Sequence, residues 1–288
     1  MTTDAMNTAL RGRVGVWLRR GTADAGLARH LEDLGYSSVW IGGSPAADLA
    51  VAEELLDATA SIRIATGVVN IWRSDGWKVA ESYVRVAERY GDRFLLGIGA
   101  GHPEVAGPAA ERPYEAVSRY LDVLDQAGVP ADHRVLAALG PRMLRLAAER
   151  SRGAHPFLVP PSHTRDARAL LGTGPLLVPE QRVVLESDRD TARALARASL
   201  ERYLQLTNYR TSLLRQGFRE ADLDHGGSDW LVDELVPFGT PEEVAGRLAD
   251  HLGAGADEVA VQLIPRPGER DADGFARLAV ALQIGAAE

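Results

Sequence analysis

An α/β fold, with eight parallel strands and their helices closed into a (β/α)8 barrel, is what the sequence predicts. Three observations carry the prediction. Strand-length apolar runs alternate with helix-period segments from one end of the chain to the other, the order that builds a parallel sheet. Most of these runs are apolar throughout, as in Phe94-Leu95-Leu96-Gly97-Ile98, which is the pattern of strands covered on both faces. No Pro- or Ser-rich linker divides the 288 residues, so 1–288 reads as one barrel domain. An open doubly wound sheet is the main rival, and a two-domain split comes third.

The elements follow in order. Strand 13–18 leads to helix 23–34, strand 38–41 to helix 45–59, strand 63–70 to helix 78–90, and strand 94–99 to helix 113–127. Strand 134–139 precedes helix 141–150, strand 153–157 precedes helix 163–171, and strand 178–186 precedes a long helix over 191–216. Thr240-Pro241-Glu242-Glu243 puts Thr at the N-cap, Pro at the first helical position and Glu two further on, a capping box that opens a helix running to Leu252. Gly253 and Gly255 end it before the last strand, 258–264. A barrel of this kind takes about 250 residues. The surplus lies between Glu186 and Pro241, where the long helix is followed by an Asp- and Gly-rich stretch over 222–233. We read about 188–240 as a helical insertion after strand seven, serving either the catalytic side or a peripheral oligomer contact.

Composition narrows the function classes. The chain has no cysteine, which excludes disulfide scaffolds, Cys-based zinc sites, iron–sulfur clusters and thiol nucleophiles, and suits a cytoplasmic protein. A net charge of −8 disfavours nucleic acid as a partner, because phosphate contacts need a basic face. Of 32 basic residues 31 are Arg, and Lys78 alone is Lys, so lysine chemistry has one candidate. The first ten residues hold no apolar leader core, and no stretch is long and apolar enough for a membrane span.

In such a barrel the working residues project from the C-terminal ends of the strands. Those ends are rich in glycine and poor in carboxylates. Gly42-Gly43 closes strand two, either as a turn into a capped helix or as a flat floor for a ring system. Gly97, Gly99 and Gly101 close strand four, as a tight corner or for close ligand approach. This is no dinucleotide fingerprint, since His102-Pro103 stands where a helix with a third glycine would open. Gly140-Pro141-Arg142 opens a helix behind strand five. Free N–H groups and a guanidinium make an anion site there, unless Pro141 only starts the helix and Arg142 is solvated. Trp17 and Trp72 stand at strand ends and suit an aromatic-lined substrate pocket. His102 with Glu104, and His155, are too few and too irregularly spaced for a metal, so none is expected. No Gly-x-Ser-x-Gly elbow occurs, which leaves a nucleophilic hydrolase without support.

Several segments taken together resemble a known family. They are Leu34-Gly35-Tyr36-Ser37-Ser38-Val39-Trp40, Ala65-Thr66-Gly67-Val68-Val69-Asn70-Ile71-Trp72-Arg73, Arg93-Phe94-Leu95-Leu96-Gly97-Ile98-Gly99-Ala100-Gly101-His102-Pro103, Ala137-Ala138-Leu139-Gly140-Pro141-Arg142-Met143, and Gly253-Ala254-Gly255-Ala256-Asp257. In this order they resemble the luciferase-like flavin- and deazaflavin-dependent oxidoreductases, in particular the actinobacterial branch that uses coenzyme F420. The resemblance implies a TIM barrel of the bacterial luciferase type, an insertion beyond strand seven, a homodimer, and a ring-shaped cofactor at the C-terminal mouth. It implies a non-prolyl cis peptide at Gly67–Val68 behind the ring, and Asn70 on the ring or its side chain. Gly99, Ala100 and Gly101 would pass beside the cofactor chain, with Gly140, Pro141 and Arg142 near its phosphate. Several deazaflavin members end strand two with an Asp-His pair, whereas Gly42-Gly43 stands here. The imidazoles left for proton transfer are His102 and His155, since an unperturbed histidine titrates near neutrality. The expected activity is hydride transfer between coenzyme F420 and a small-molecule substrate. An FMN-dependent monooxygenase on the same barrel is the first alternative, and a non-catalytic ligand-binding barrel the second.

Overall fold

The computed structural model describes residues 10–102 and 112–285. Its strand segments are β1 (Val14–Arg19), β2 (Ser38–Gly42), β3 (Arg63–Thr66), β4 (Val69–Asn70), β5 (Phe94–Gly99), β6 (Arg134–Leu136), β7 (Gly153–Ala154), β8 (Leu176–Leu177), β9 (Glu180–Val183) and β10 (Val259–Leu263). All neighbours pair in parallel, in the order β8-β7-β6-β5-β3-β2-β1-β10-β9, and β4 also pairs with β5. The two ends of that order, β8 and β9, are consecutive in the chain. On one edge of this run the Val178 N–H donates to the Ala154 carbonyl and the Glu180 N–H to Pro156. On the other edge the Ala260 N–H donates to the Pro179 carbonyl. One extended run from 176 to 183 therefore pairs on both sides, and the sheet closes. β3 and β4 are likewise one strand, interrupted at Gly67–Val68, whose peptide bond is cis as the resemblance implied.

Helices α1 (Ala25–Asp33), α2 (Ala50–Ala58), α3 (Gly76–Tyr90), α4 (Pro113–Gln126), α5 (Pro141–Arg150) and α6 (Pro161–Leu171) wrap the sheet. Their apolar faces meet the outward residues of the strands in one continuous core, with Leu31, Leu55, Val86, Leu121, Leu146 and Leu278 among its members. A second, smaller set fills the barrel interior: Trp17, Trp40, Ala65, Val135, Val178 and Ala260. Below it, at the N-terminal end, the Trp40 indole N–H donates to Ser38 Oγ (2.9 Å) and Arg63 pairs with Glu258 (2.7 Å).

Between β9 and the capped helix α11 (Pro241–Gly253) lie α7 (Arg189–Leu200), α8 (Thr207–Arg215), α9 (Glu220–Leu223) and α10 (Asp229–Leu235). They pack their own apolar cluster, which includes Leu158, Val184, Leu200, Leu204, Leu213 and Leu235. The single helix expected over 191–216 is two, parted by a 3-10 turn at Tyr203–Gln205. On one continuous helix, Leu204 and Tyr209 would point about 140° apart. The turn lets both be buried. The Thr240 capping box is present, with Glu243 N–H on Thr240 Oγ1 (3.3 Å) and Thr240 N–H on Glu243 Oε2 (2.8 Å). A helix absent from the sequence reading, α12 (Asp271–Leu282), closes the described chain and buries Phe275, Leu278 and Leu282. No helix among the described residues is long and apolar enough to cross a membrane.

Candidate active site at the barrel mouth

Period-two alternation turns Trp17, Trp40, Gly42, Gly67, Gly99, His155 and Phe157 toward the barrel axis. His155 stacks on Trp40, with ring centroids 4.1 Å apart and planes 15° apart. Its Nδ1–H donates to the Val178 carbonyl (2.7 Å), which fixes the neutral tautomer and leaves Nε2 buried without a partner. Burial lowers its pKa to about 4, more than the Val178 hydrogen bond raises it. At neutral pH this ring is an uncharged part of the interior.

Trp17 lies one layer higher. Its indole N–H donates to the Gly67 carbonyl (3.2 Å), and its six-membered ring fills the space that a Cβ on Gly42 would need. A Cβ on Gly67 would stand 2.9 Å from Trp17 Nε1 and 3.2 Å from His155 Nε2. Val68 packs into the gap left by Gly99, whose Cβ would come within 2.9 Å of it. Asn70 accepts the Trp72 N–H (2.9 Å), while Gly101, at φ +61°, rests against the Asn70 amide. Gly42, Gly67, Gly99, Gly101 and Trp17 thus meet at one place, where Trp17 is 5% exposed and forms a floor rather than an open wall. Trp72 is half-buried, its indole N–H unpartnered. Gly43 is exposed beside Arg20, and Ala100 packs on the outer core. Pro103 and Glu104 lie outside the described residues.

The insertion supplies the next tier. Phe157 packs on Trp17 (5.2 Å), Tyr203 (5.4 Å) and Tyr209 (6.2 Å), and His102 places its ring 5.4 Å from Tyr209. Arg182 lies over both Phe157 (5.1 Å) and Tyr203 (4.2 Å), and donates to the Ser199 carbonyl at the end of α7. Glu180, two residues back on β9 and facing the same way, is fully buried. Its Oε2 accepts the Leu158 N–H (3.1 Å). Burial lifts its pKa to about 6, against the opposing pull of Arg182. Glu180, Arg182, Tyr203 and Tyr209 were not among the predicted site residues. The readable signal was two charges at alternate positions, with Gln181 between them, in a strand bounded by Leu176-Leu177-Val178 and Val183-Val184-Leu185, a spacing that puts both on one face.

Beside the mouth, Gly140 caps α5 and Pro141 opens it. The guanidinium at this helix start is that of Arg215, from α8: its Nη1 would lie 3.3 Å from a Cβ on Gly140. Leu139, Pro141, His163, Ser212, Arg215 and Gln216 line a cavity of about 100 Å³ there. His163 donates from Nε2 to the Leu139 carbonyl (2.8 Å), and its buried Nδ1 has no partner. Arg142, predicted for this role, is exposed, stacked on Tyr114 (4.3 Å) and near Glu115 (3.7 Å). Among the described residues no three His, Asp or Glu side chains gather as a metal would require.

The luciferase-like monooxygenase family matches residues 11–131 and 127–258. The chain belongs to this family. A 4-hydroxyprotoasukamycin monooxygenase of Streptomyces nodosus subsp. asukaensis is 36% identical over 85 residues, which is 27% of this chain and only 23% of that protein. Among solved structures, an F420-dependent secondary alcohol dehydrogenase bound to an F420-acetone adduct superposes with TM-score 0.72 at 14% identity, covering 96% of this chain and 100% of the other. The F420-dependent tetrahydromethanopterin reductase of Methanopyrus kandleri gives 0.66 at 17%, covering 94% and 98%. The FMN-bound oxygenating component of a Pseudomonas putida diketocamphane monooxygenase gives 0.63 at 16%, covering 94% and 96%. At such identities the likeness is one of fold. The structures that superpose include both F420-dependent and FMN-bound proteins.

Proposed function

We propose that this luciferase-like protein transfers a hydride between coenzyme F420 and a small organic substrate held at the barrel mouth. The observation that carries the reading is the set of buried polar atoms left open there: Trp72 Nε1, Glu180 Oε1, Arg182 Nε and Gln262 Oε1. Native interiors seldom leave such atoms unpaired, and a site built to receive a polar ring does so by design. A deazaflavin, when bound, supplies hydride chemistry; the protein binds, orients and handles protons. Arg215 and the N–H groups that open α5 suit its phosphate, with Gly140 leaving room for close approach. Asn70 and Gly101 hold the loop behind β4 and β5 in a fixed shape. The choice of deazaflavin over flavin rests on the sequence segments that resemble the F420 branch. A flavin-dependent monooxygenase is the second reading, favoured by the Streptomyces relative.

Titration of the purified protein with coenzyme F420 and with FMN, followed by fluorescence, separates the two. Saturable F420 binding with weak FMN binding is expected. Arg215→Ala should weaken it by about one to two decades, the worth of a charge-assisted hydrogen bond of roughly 1.5–3 kcal/mol, while Arg142→Ala changes little. Tight FMN binding and oxygen uptake would establish the second reading, and binding of neither cofactor would overturn both.

A further inference from the structure

Burying a charge is costly unless every polar atom of the pair is satisfied. Glu180 and Arg182 are 1% and 2% exposed, yet each keeps an open atom. Glu180 Oε2 is used by Leu158 and one Arg182 nitrogen by Ser199. The remaining Oε1 and Nε face each other at 3.5 Å, close enough for an ion pair and too long for a good hydrogen bond. Gln262, the residue opposite Arg182 on β10, leaves its amide oxygen open as well. A brace evolved only for stability would close these atoms on one another. The surroundings are aromatic: Phe157 and Tyr203 flank the guanidinium, and Tyr209 packs against both at 6.2 and 5.4 Å. Tyr203 stands on the 3-10 turn between α7 and α8 and is half-buried, the ring that separates Arg182 from the surface of the insertion.

We propose that Glu180 and Arg182 anchor the hydroxyl group of a flat, hydroxyl-bearing aromatic compound. The hydroxyl donates to Glu180 Oε1 and accepts from Arg182 Nε–H, which no purely donating or purely accepting group could do. The ring lies against the Phe157, Tyr203 and Tyr209 cluster, where offset and edge contacts favour another aromatic face. In the activating step the O–H bond breaks, its proton forms a new O–H bond on the Glu180 carboxylate, and the electron pair stays on the phenolate oxygen beside the Arg182 cation. No electrons change owner. With burial holding Glu180 near pKa 6, it exchanges protons close to neutrality. The inference deepens the reading of the mouth as the reaction site and rests on it for the fate of the anchored ring.

The probe is 4-nitrophenol, whose visible absorption reports binding and ionisation together. Saturable binding to the wild-type protein is expected, with nitrobenzene, the same ring without a hydroxyl, binding at least roughly tenfold more weakly. Glu180→Gln keeps an acceptor for the Leu158 N–H and should lose at least tenfold in 4-nitrophenol affinity. Tyr203→Ala should speed association. Equal affinity for the two probes, no binding of 4-nitrophenol, or an unaltered Glu180→Gln would each overturn the proposal. The nitrobenzene comparison needs no variant, so a misfolded mutant does not blunt it. F420 binding without 4-nitrophenol binding defeats this inference alone, whereas the reverse result defeats the cofactor reading and leaves the hydroxyl site standing.

Discussion

Gly42 lacks a side chain because the Trp17 indole already occupies its place. The glycine run at the strand ends was legible in the sequence, but its reason was not. A turn, a cofactor floor and a neighbour's ring all read alike until the parallel register sets β1 beside β2, with Arg19 opposite Gly42. The consequence is testable. Gly42→Ala would push the indole off the Gly67 carbonyl inside a closed barrel, and overpacking of this kind costs about 1–3 kcal/mol. A lower denaturation midpoint with shifted tryptophan fluorescence is expected; an unchanged midpoint would show that Trp17 has room to move. The same limit explains Arg215 and Glu180. The residue next to Gly140 in the chain that carries a guanidinium is Arg142, whereas the guanidinium that the fold sets against Gly140 is that of Arg215, from a helix more than seventy residues away. The strand ends are poor in carboxylates in the sequence, and Glu180 is buried within a strand.

At the scale of elements, every strand start was read to within two residues, because burial on both faces writes most of them as apolar blocks, whereas β6, β7 and β9 end three residues before the apolar runs suggest. The insertion was legible as surplus length and helical period, and its internal breaks were not. Leu204, Leu206 and Tyr209 share no single helical face, so only the demand for common burial reveals the turn between α7 and α8. What holds α10 to α7 is a network: Arg193 makes paired hydrogen bonds to Asp233 (2.9 and 2.7 Å) and also meets Asp229, which Arg197 bonds in turn. Arg193→Ala should therefore loosen the insertion without opening the barrel. Amide hydrogen exchange over 189–235 should accelerate while β1, β2 and β10 keep their protection. If acceleration spreads evenly over the barrel, the insertion and barrel open as one unit.

For the whole molecule, eight alternating units sufficed to predict closure, yet the polar groups that lock the closed shell are invisible in any one segment. Thr164 on α6 donates to His251 Nδ1 on α11 (2.7 Å), His251 Nε2–H donates to Gln181 on β9 (2.7 Å), and Gln181 donates to the Leu235 carbonyl at the end of α10 (2.9 Å). The chain of bonds needs a neutral imidazole, because His251 accepts at one nitrogen and donates at the other. Burial, helped by the nearby His163 and Arg247, lowers the His251 pKa to about 3, and burial lowers His155 to about 4. Below the unfolded value of about 6.5 the unfolded chain binds protons that these native rings refuse, so stability falls as pH falls. Between pH 7 and 5 each ring then costs about 2 kcal/mol. Glu180 acts in the opposite sense: its raised pKa makes the native state the better proton binder between about 4.5 and 6, which returns about 1 kcal/mol. Glu32 stays out of this window. Burial raises its pKa, but hydrogen bonds from the backbone of Ala60, Ile62 and Ser61 and from the Ser61 hydroxyl win and hold it at about 2, so its contribution is lost only below pH 4.5. The expected net loss from these three groups is about 3 kcal/mol between pH 7 and 5, read as a fall in the urea midpoint. His155→Gln, which keeps a donor for the Val178 carbonyl, should remove about 2 kcal/mol of that slope. A midpoint that stays level from pH 7 to 5 would mean that water reaches and solvates these imidazoles, and that the barrel is not sealed at its centre.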